Sequence, residues 1–202
     1  MSKSLEIEYK SMLTADEYKR LLHLYQIEEH QFVQQTNIYF DTPDFLLKKQ
    51  GMGLRIRRFE TKAEATLKVP QSIGLLEITD ALTLEEVNPK VRSARFVPEA
   101  KEVLAHLSAL HISIEDLQLI AQLTTKRAEF MIPEGKLALD ESWYSRQHDF
   151  ELELEVPDGS FSEVDFKDFL QHFDLPFRKT QNKIARAVYA QQKLHKDMEG
   201  NQ

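Results

Sequence analysis

Apolar and charged residues alternate with period two along several stretches of this chain, the pattern of β-strands whose two faces differ. In Leu5-Glu6-Ile7-Glu8-Tyr9-Lys10 the apolar Leu5, Ile7 and Tyr9 share one face, and Glu6, Glu8 and Lys10 the other. Phe32 to Asp41 is strand-like and ends in a Thr42-Pro43-Asp44 turn; Leu54-Arg55-Ile56-Arg57-Arg58-Phe59 alternates again. Ala65 to Val69 and Leu75 to Thr79 extend the run. Strands return from Thr124 to Ile132, Leu137 to Asp140 and His148 to Val156, with Pro133-Glu134-Gly135 as a turn. Helical spacing separates them. Thr14 and Glu17 form a capping box ahead of a helix to about Gln26. Further helices are predicted from Pro98 to Leu110, Ser113 to about Gln122, Ser162 to Phe173 and Gln181 to about Leu194. Roughly eight strands with helices between and after them make an α+β domain.

Each strand alone reads as half-buried, with its charges in water. Together they strain that reading. Glu151, Glu153 and Glu155 share one face of Phe150 to Val156. Like charges so placed lie about 7 Å apart and repel by about 2 kcal/mol at an effective dielectric near 20. Other strands carry Arg55, Arg57 and Lys68 on their charged faces. Acidic and basic strands facing one concavity relieve that repulsion, and offer carboxylates for a divalent metal and cations for phosphates. The expectation is an inverted barrel, polar inside, with amphipathic helices covering an apolar outside.

Composition changes this picture little. With 202 residues, 42% hydrophobic and 29% charged, the chain suits one domain, expected over residues 1–195, with a flexible tail over 196–202. It has no cysteine, which removes disulfides and thiolate metal sites. Met1-Ser2-Lys3-Ser4 runs straight into a charged strand without the apolar core of a signal peptide, so a cytoplasmic location is expected. No stretch approaches the ~20 apolar residues of a membrane helix, and no membrane partner is expected. The net charge of −7 argues against a nucleic-acid reader.

The ordered charged blocks resemble the CYTH superfamily, the triphosphate tunnel metalloenzymes. Glu6-x-Glu8-x-Lys10 is similar to its E-x-E-x-K signature. Tyr39-Phe40-Asp41-Thr42-Pro43, Leu54-Arg55-Ile56-Arg57 and Thr66-Leu67-Lys68 resemble its next blocks. Arg127, Leu139-Asp140, Glu151-x-Glu153-x-Glu155 and Lys179-Thr180, with Lys183 one turn later, follow in the family's order. The resemblance implies a closed eight-stranded antiparallel tunnel that hydrolyses a small triphosphate. Glu6, Glu8, Asp140, Glu151, Glu153 and Glu155 would hold Mg²⁺ or Mn²⁺. Lys10, Arg55, Arg57, Lys68, Glu77, Arg127, Lys179 and Lys183 would contact substrate. Glu6, Glu8, Lys10, Glu151 and Glu153 would carry the catalysis, in a monomer or homodimer. Two departures stand out: Leu75-Leu76-Glu77 keeps the Glu of an R-x-E pair without its Arg, and the closing K-S is K-T. The alternatives are a class IV-type adenylate cyclase and a non-catalytic protein that binds triphosphate or a polyphosphorylated nucleotide.

Other candidates are weaker. Gly51-Met52-Gly53 lacks the G-K-[ST] of a phosphate loop and reads as a turn. His23, His106 and His172 read as helix-surface or packing residues, and Trp143 as packing rather than a stacking platform. Glu28-Glu29, Glu85-Glu86 and Glu115-Asp116 read as solvated surface.

Overall fold

A computed structural model describes residues 2–199 of the chain. Eight strands close an antiparallel barrel in the order β1-β5-β4-β3-β2-β6-β7-β8. They are β1 (Ser2–Leu13), β2 (Phe32–Asp41), β3 (Gly53–Arg58), β4 (Ala63–Pro70), β5 (Leu75–Leu82), β6 (Gln118–Ile132), β7 (Gly135–Tyr144) and β8 (Gln147–Val156). β1 closes the ring: Ser2 to Glu6 pair with β5, and Ile7 to Leu13 pair with β8. The expected closed barrel with its charges inside is the one formed.

The apolar strand faces point outward and are sealed by helices. On one side Leu54, Ile56, Leu67 and Ile78 pack under α2 (Leu46–Lys49), α3 (Leu84–Arg92) and α4 (Lys101–Ala109), through Leu47, Val87, Val103 and Leu107. On the other, Ile7, Leu139, Leu152 and Leu154 pack under α1 (Ala15–Leu24) and α5 (Glu163–Gln171), through Leu21, Phe166 and Leu170. Burying each such side chain contributes about 1.5–3 kcal/mol, so the covering helices hold an inside-out barrel together in water. α6 (Lys183–Glu199) sits differently. Its Ala187, Val188 and Ala190 meet Tyr39, Leu123 and Tyr144, which share strand faces with the tunnel residues. α6 therefore stands across one end of the barrel. It also runs through residues 196–199 of the segment expected as a tail, whose last residues, 200–202, lie outside the described ones.

Several elements differ from the periodicity, among them the single turn of α2, which it does not mark. The helix expected from Ser113 to Gln122 is only a 3₁₀ turn, Ile114–Asp116, after which β6 begins at Gln118. Partners outside the segment decide this, because Gln118 to Leu123 form a ladder with Asp41 to Asn37. α3 has no counterpart in the predicted elements. Its start is marked by a capping box between Thr83 and Glu86, and Pro89 within it masks the helical signal. No helix among the described residues is long and apolar enough to cross a membrane.

Candidate active site in the barrel tunnel

Strand parity delivers the charged residues to one cavity of about 350 Å³. Glu6, Glu8 and Lys10 come from β1, Arg55 and Arg57 from β3, Lys68 from β4 and Glu77 from β5. Arg127 comes from β6, Glu153 and Glu155 from β8, and Lys183 from the first turn of α6. Asn182, also in the lining, accepts the Ala185 backbone N–H at 2.9 Å and so caps α6 with its N-terminus at the cavity. Lining carboxylates and cations nearly balance.

Two ion clusters organise these charges. Near the start of β1, Lys68 bonds Glu6 and lies 3.0 Å from Glu77, while Arg55 approaches Glu77 at 3.7 Å. Burial and the neighbouring Glu8 push the Glu6 carboxyl up, against the pull of Lys68. Glu77 goes the other way: Lys68 and Arg55 outweigh its burial and hold it down. Deeper in, Arg127 donates through Nε and Nη2 to Asp140 at 2.7 and 2.6 Å and also bonds Glu153. Lys183 Nζ lies 2.8 Å from Asp140, 2.8 Å from Glu151 and 2.7 Å from Glu153. Arg186 completes the group on Glu151 at 2.5 Å. Burial opposes ionisation here, yet Lys183, Arg127 and Lys10 hold Glu153 well below the usual carboxylate range. Reciprocally, the surrounding carboxylates outweigh burial and push the Lys183 ammonium well up.

Arg57 stands apart. Its Nε donates to Asn37 Oδ1 at 2.9 Å, and Nη1 reaches Glu64 only at 3.4 Å. Burial, with Arg55 and Arg127 nearby, pulls its pKa down to about 10.

The sequence-derived residues divide accordingly. Glu6, Glu8, Lys10, Arg55, Arg57, Lys68, Glu77, Arg127, Glu153, Glu155 and Lys183 line the cavity. Asp140 and Glu151 lie beneath it, with side chains 0% exposed; Arg127 and Lys183 hold Asp140, while Lys183 and Arg186 both reach Glu151 Oε2 and leave its buried Oε1 without a partner among the described residues. Lys179 is exposed and outside the lining, because Arg178 ties this segment to the barrel exterior through Glu17 and the Met12 carbonyl. Arg186, one turn beyond Lys183, is drawn onto Glu151; its i+3 spacing from Lys183 is the signal in the sequence. Asn37 was not singled out, since a neutral amide does not register in a charge pattern. Asp41 of the aromatic-Asp-Thr block, at the end of β2 and outside the cavity lining, accepts the Leu47 and Lys48 backbone N–H groups of α2. Gly51 takes φ +71° in a turn after α2. Trp143 stacks on His148 with centroids 5.2 Å apart. A second cavity, about 490 Å³, lies against the outer wall beside Gln34, Thr36, Arg58 and Asn88, and brings no cluster of opposed charges together.

Fold and site together define a charged-tunnel β-barrel, apolar outside and ionic within. The CYTH domain matches residues 4–188, and the chain belongs to that family. A Bacillus subtilis relative, YjbK, bears the name of a triphosphatase and is 40% identical over 186 residues, covering 92% of this chain and 95% of YjbK. A crystal structure from Bacillus halodurans, named as an adenylate cyclase, superposes with a TM-score of 0.84 at 39% identity, covering 92% of this chain and 98% of that one. The Hippeastrum protein HpAC1, named for adenylyl cyclase and described as having a dominant triphosphatase activity, shares the fold with a TM-score of 0.73 at 19% identity, covering 90% of this chain and 94% of that one.

Proposed function

We propose that this chain is a metal-dependent triphosphatase acting on a small triphosphate compound inside the tunnel. One observation carries the reading: carboxylates crowded on β1 share a cavity with the cations Lys10, Arg55, Arg57, Lys68 and Arg127, of which Arg57 is destabilised by burial and by Arg55 and Arg127 beyond what its one carboxylate, Glu64 at 3.4 Å, offsets. The names borne by YjbK and HpAC1 point the same way.

The donor chemistry fits Mg²⁺ or Mn²⁺. Glu6 and Glu8, with Glu153 and Glu155 on the adjoining strand β8, offer hard oxygen ligands. Among the described residues no three carboxylates or imidazoles converge into a ready cage. Mg²⁺ does not require one: it keeps several waters and is commonly held by one or two carboxylates plus substrate phosphates. The repulsion that burial and Glu8 impose on Glu6 is the kind a divalent cation relieves. Because lining charges nearly balance, a polyanion entering alone meets little net attraction, and metal supplies the missing positive charge. When bound, the metal would neutralise phosphate charge and acidify a positioned water.

The remaining work falls to the chain itself. Lys10, Arg55, Arg57, Lys68 and Arg127 bind and orient the phosphates and stabilise negative charge developing on the leaving phosphate. The N-terminus of α6, with Lys183, adds positive potential at the same cavity. Water adds to a phosphorus, the bridging P–O bond breaks, and the products are phosphate and a diphosphate; no covalent nucleophile on the protein is needed. Phosphate release from inorganic triphosphate with Mg²⁺ or Mn²⁺ tests the reading. Glu6→Gln should fall about 10²-fold, the scale of losing one metal-site carboxylate. Undiminished turnover in that variant, or in chelator, would sink it.

The adenylate cyclase name of the Bacillus halodurans relative favours a second reading, cyclisation of ATP. Tyr39 is the one aromatic side chain in the described lining, a sparse platform for a base. Cyclic AMP formed from ATP would select that reading, and triphosphate binding without turnover would select a sensor.

A further inference from the structure

The tunnel's cations are not equally neutralised: among the described residues Arg55 meets only Glu77, at 3.7 Å, and Arg57 makes its best hydrogen bond to a neutral residue. Arg127 and Lys183 are each held by two or more carboxylates. Arg57 donates to Asn37, its direct cross-strand neighbour in the β2–β3 register, at 2.9 Å, and reaches one carboxylate, Glu64 on β4, only at 3.4 Å. The Nε–H of an arginine can only donate, so Asn37 must present its carbonyl oxygen, and this fixes which end of the amide points where. The Asn37 Nδ2 hydrogens are left without a protein acceptor among the described residues, on a side chain that lines the cavity. An aspartate of the same shape would hold Arg57 equally well but cancel its charge.

We infer that Asn37 is a substrate-binding residue of the tunnel: it orients Arg57 through a neutral hydrogen bond that preserves the guanidinium charge, and donates its own amide hydrogens to the same phosphate group. The inference rests on the triphosphate reading above. It assigns Asn37 a job that neither packing nor ion pairing requires, and it makes affinity depend on the absence of charge at this position. The ligand so recognised is a terminal phosphate, rich in acceptor oxygens and lacking donors.

Calorimetric titration of inorganic triphosphate in Mg²⁺ buffer, with melting curves for each variant, tests this. Asn37→Asp should melt at or above the wild-type temperature, because it gains an ion pair with Arg57, yet bind triphosphate about 30-fold or more weakly. Asn37→Ala should lose about 5- to 10-fold, the scale of one net hydrogen bond. The diagnostic result is the order wild type, then Ala, then Asp. A purely structural Asn37 gives the reverse order for the variants, with Ala worst and Asp mild, and overturns the inference. Should Asn37→Ala not fold, Asn37→Ser takes its place in the ranking. Wild type that fails to bind triphosphate at all removes the triphosphate reading itself; wild type that binds, with Asn37→Asp binding equally well, removes only this inference.

Discussion

Replacing Lys183 with methionine keeps most of the side-chain volume and removes one charge from the most tightly packed ion cluster in the barrel. Nζ lies 2.8, 2.8 and 2.7 Å from Asp140, Glu151 and Glu153, and the Lys183 side chain is only 12% exposed. Breaking a buried ion pair from one side costs about 3–5 kcal/mol, because the partner charge stays buried without compensation. Arg127 and Arg186 remain on the same acids, which places the expected loss near the lower figure, about 3 kcal/mol. At about 2–4 °C per kcal/mol for a domain this size, the melting temperature at pH 7 should fall by roughly 6–12 °C. The sign with pH follows from Glu153, whose folded pKa is depressed. Its contribution is present above the unfolded carboxylate pKa and is lost as pH falls through the folded value. Without Lys183 the depression shrinks and Glu153 protonates sooner on acidification, which relieves the unpaired charge. The gap between wild type and variant should therefore narrow between pH 7 and pH 4. Thermal unfolding followed by circular dichroism at both pH values measures this. A shift below 2 °C at pH 7, or a gap that widens on acidification, would refute the account of Lys183 as the counter-ion of the buried acids.

Other perturbations separate the scaffold from the tunnel. Gly74 has φ +71°, and a Cβ there would sit 2.3 Å from the Glu6 carbonyl oxygen, so Gly74→Ala should cost about 2 kcal/mol and reduce triphosphate turnover by displacing Glu6; unchanged kinetics would contradict that coupling. Asp80 accepts the Glu102 and Val103 backbone N–H groups at 2.9 and 3.0 Å and does the work of an N-cap for α4, whose own cap residue is Ala100. Asp80→Ala should cost about 1–2 kcal/mol in urea unfolding while leaving triphosphate affinity intact, since Asp80 faces outward. Lys179→Ala should weaken triphosphate binding far less than Lys68→Ala, because only Lys68 lines the cavity; equal losses by calorimetry would return Lys179 to the site.

Much of this barrel was legible before any coordinates. Period-two alternation sorts side chains onto faces by geometry alone, so Glu6, Glu8 and Lys10, Arg55 and Arg57, and Glu153 and Glu155 could be assigned to one interior. The capping box at Thr14 marked the start of α1 and helical spacing that of α5 near Ser162, because both signals are satisfied within a few residues of chain. Where partners lie far apart in sequence, local pattern was silent. Gln118 to Leu123 became strand because β2 supplied their hydrogen bonds. Parity placed Asp140 and Glu151 on the inner face, but not that Arg127, Lys183 and Arg186 would pair with them beneath the cavity. Nor could parity distinguish Lys179, on the exterior, from Lys183, a turn further on and inside, since the path of the chain between β8 and α6 decides it. Which face a residue takes is a property of its own backbone. Which charge it meets, and how much remains for a ligand, is a property of the closed barrel, where Asn37 leaves Arg57 its charge and Asp140 and Glu153 quench that of Arg127.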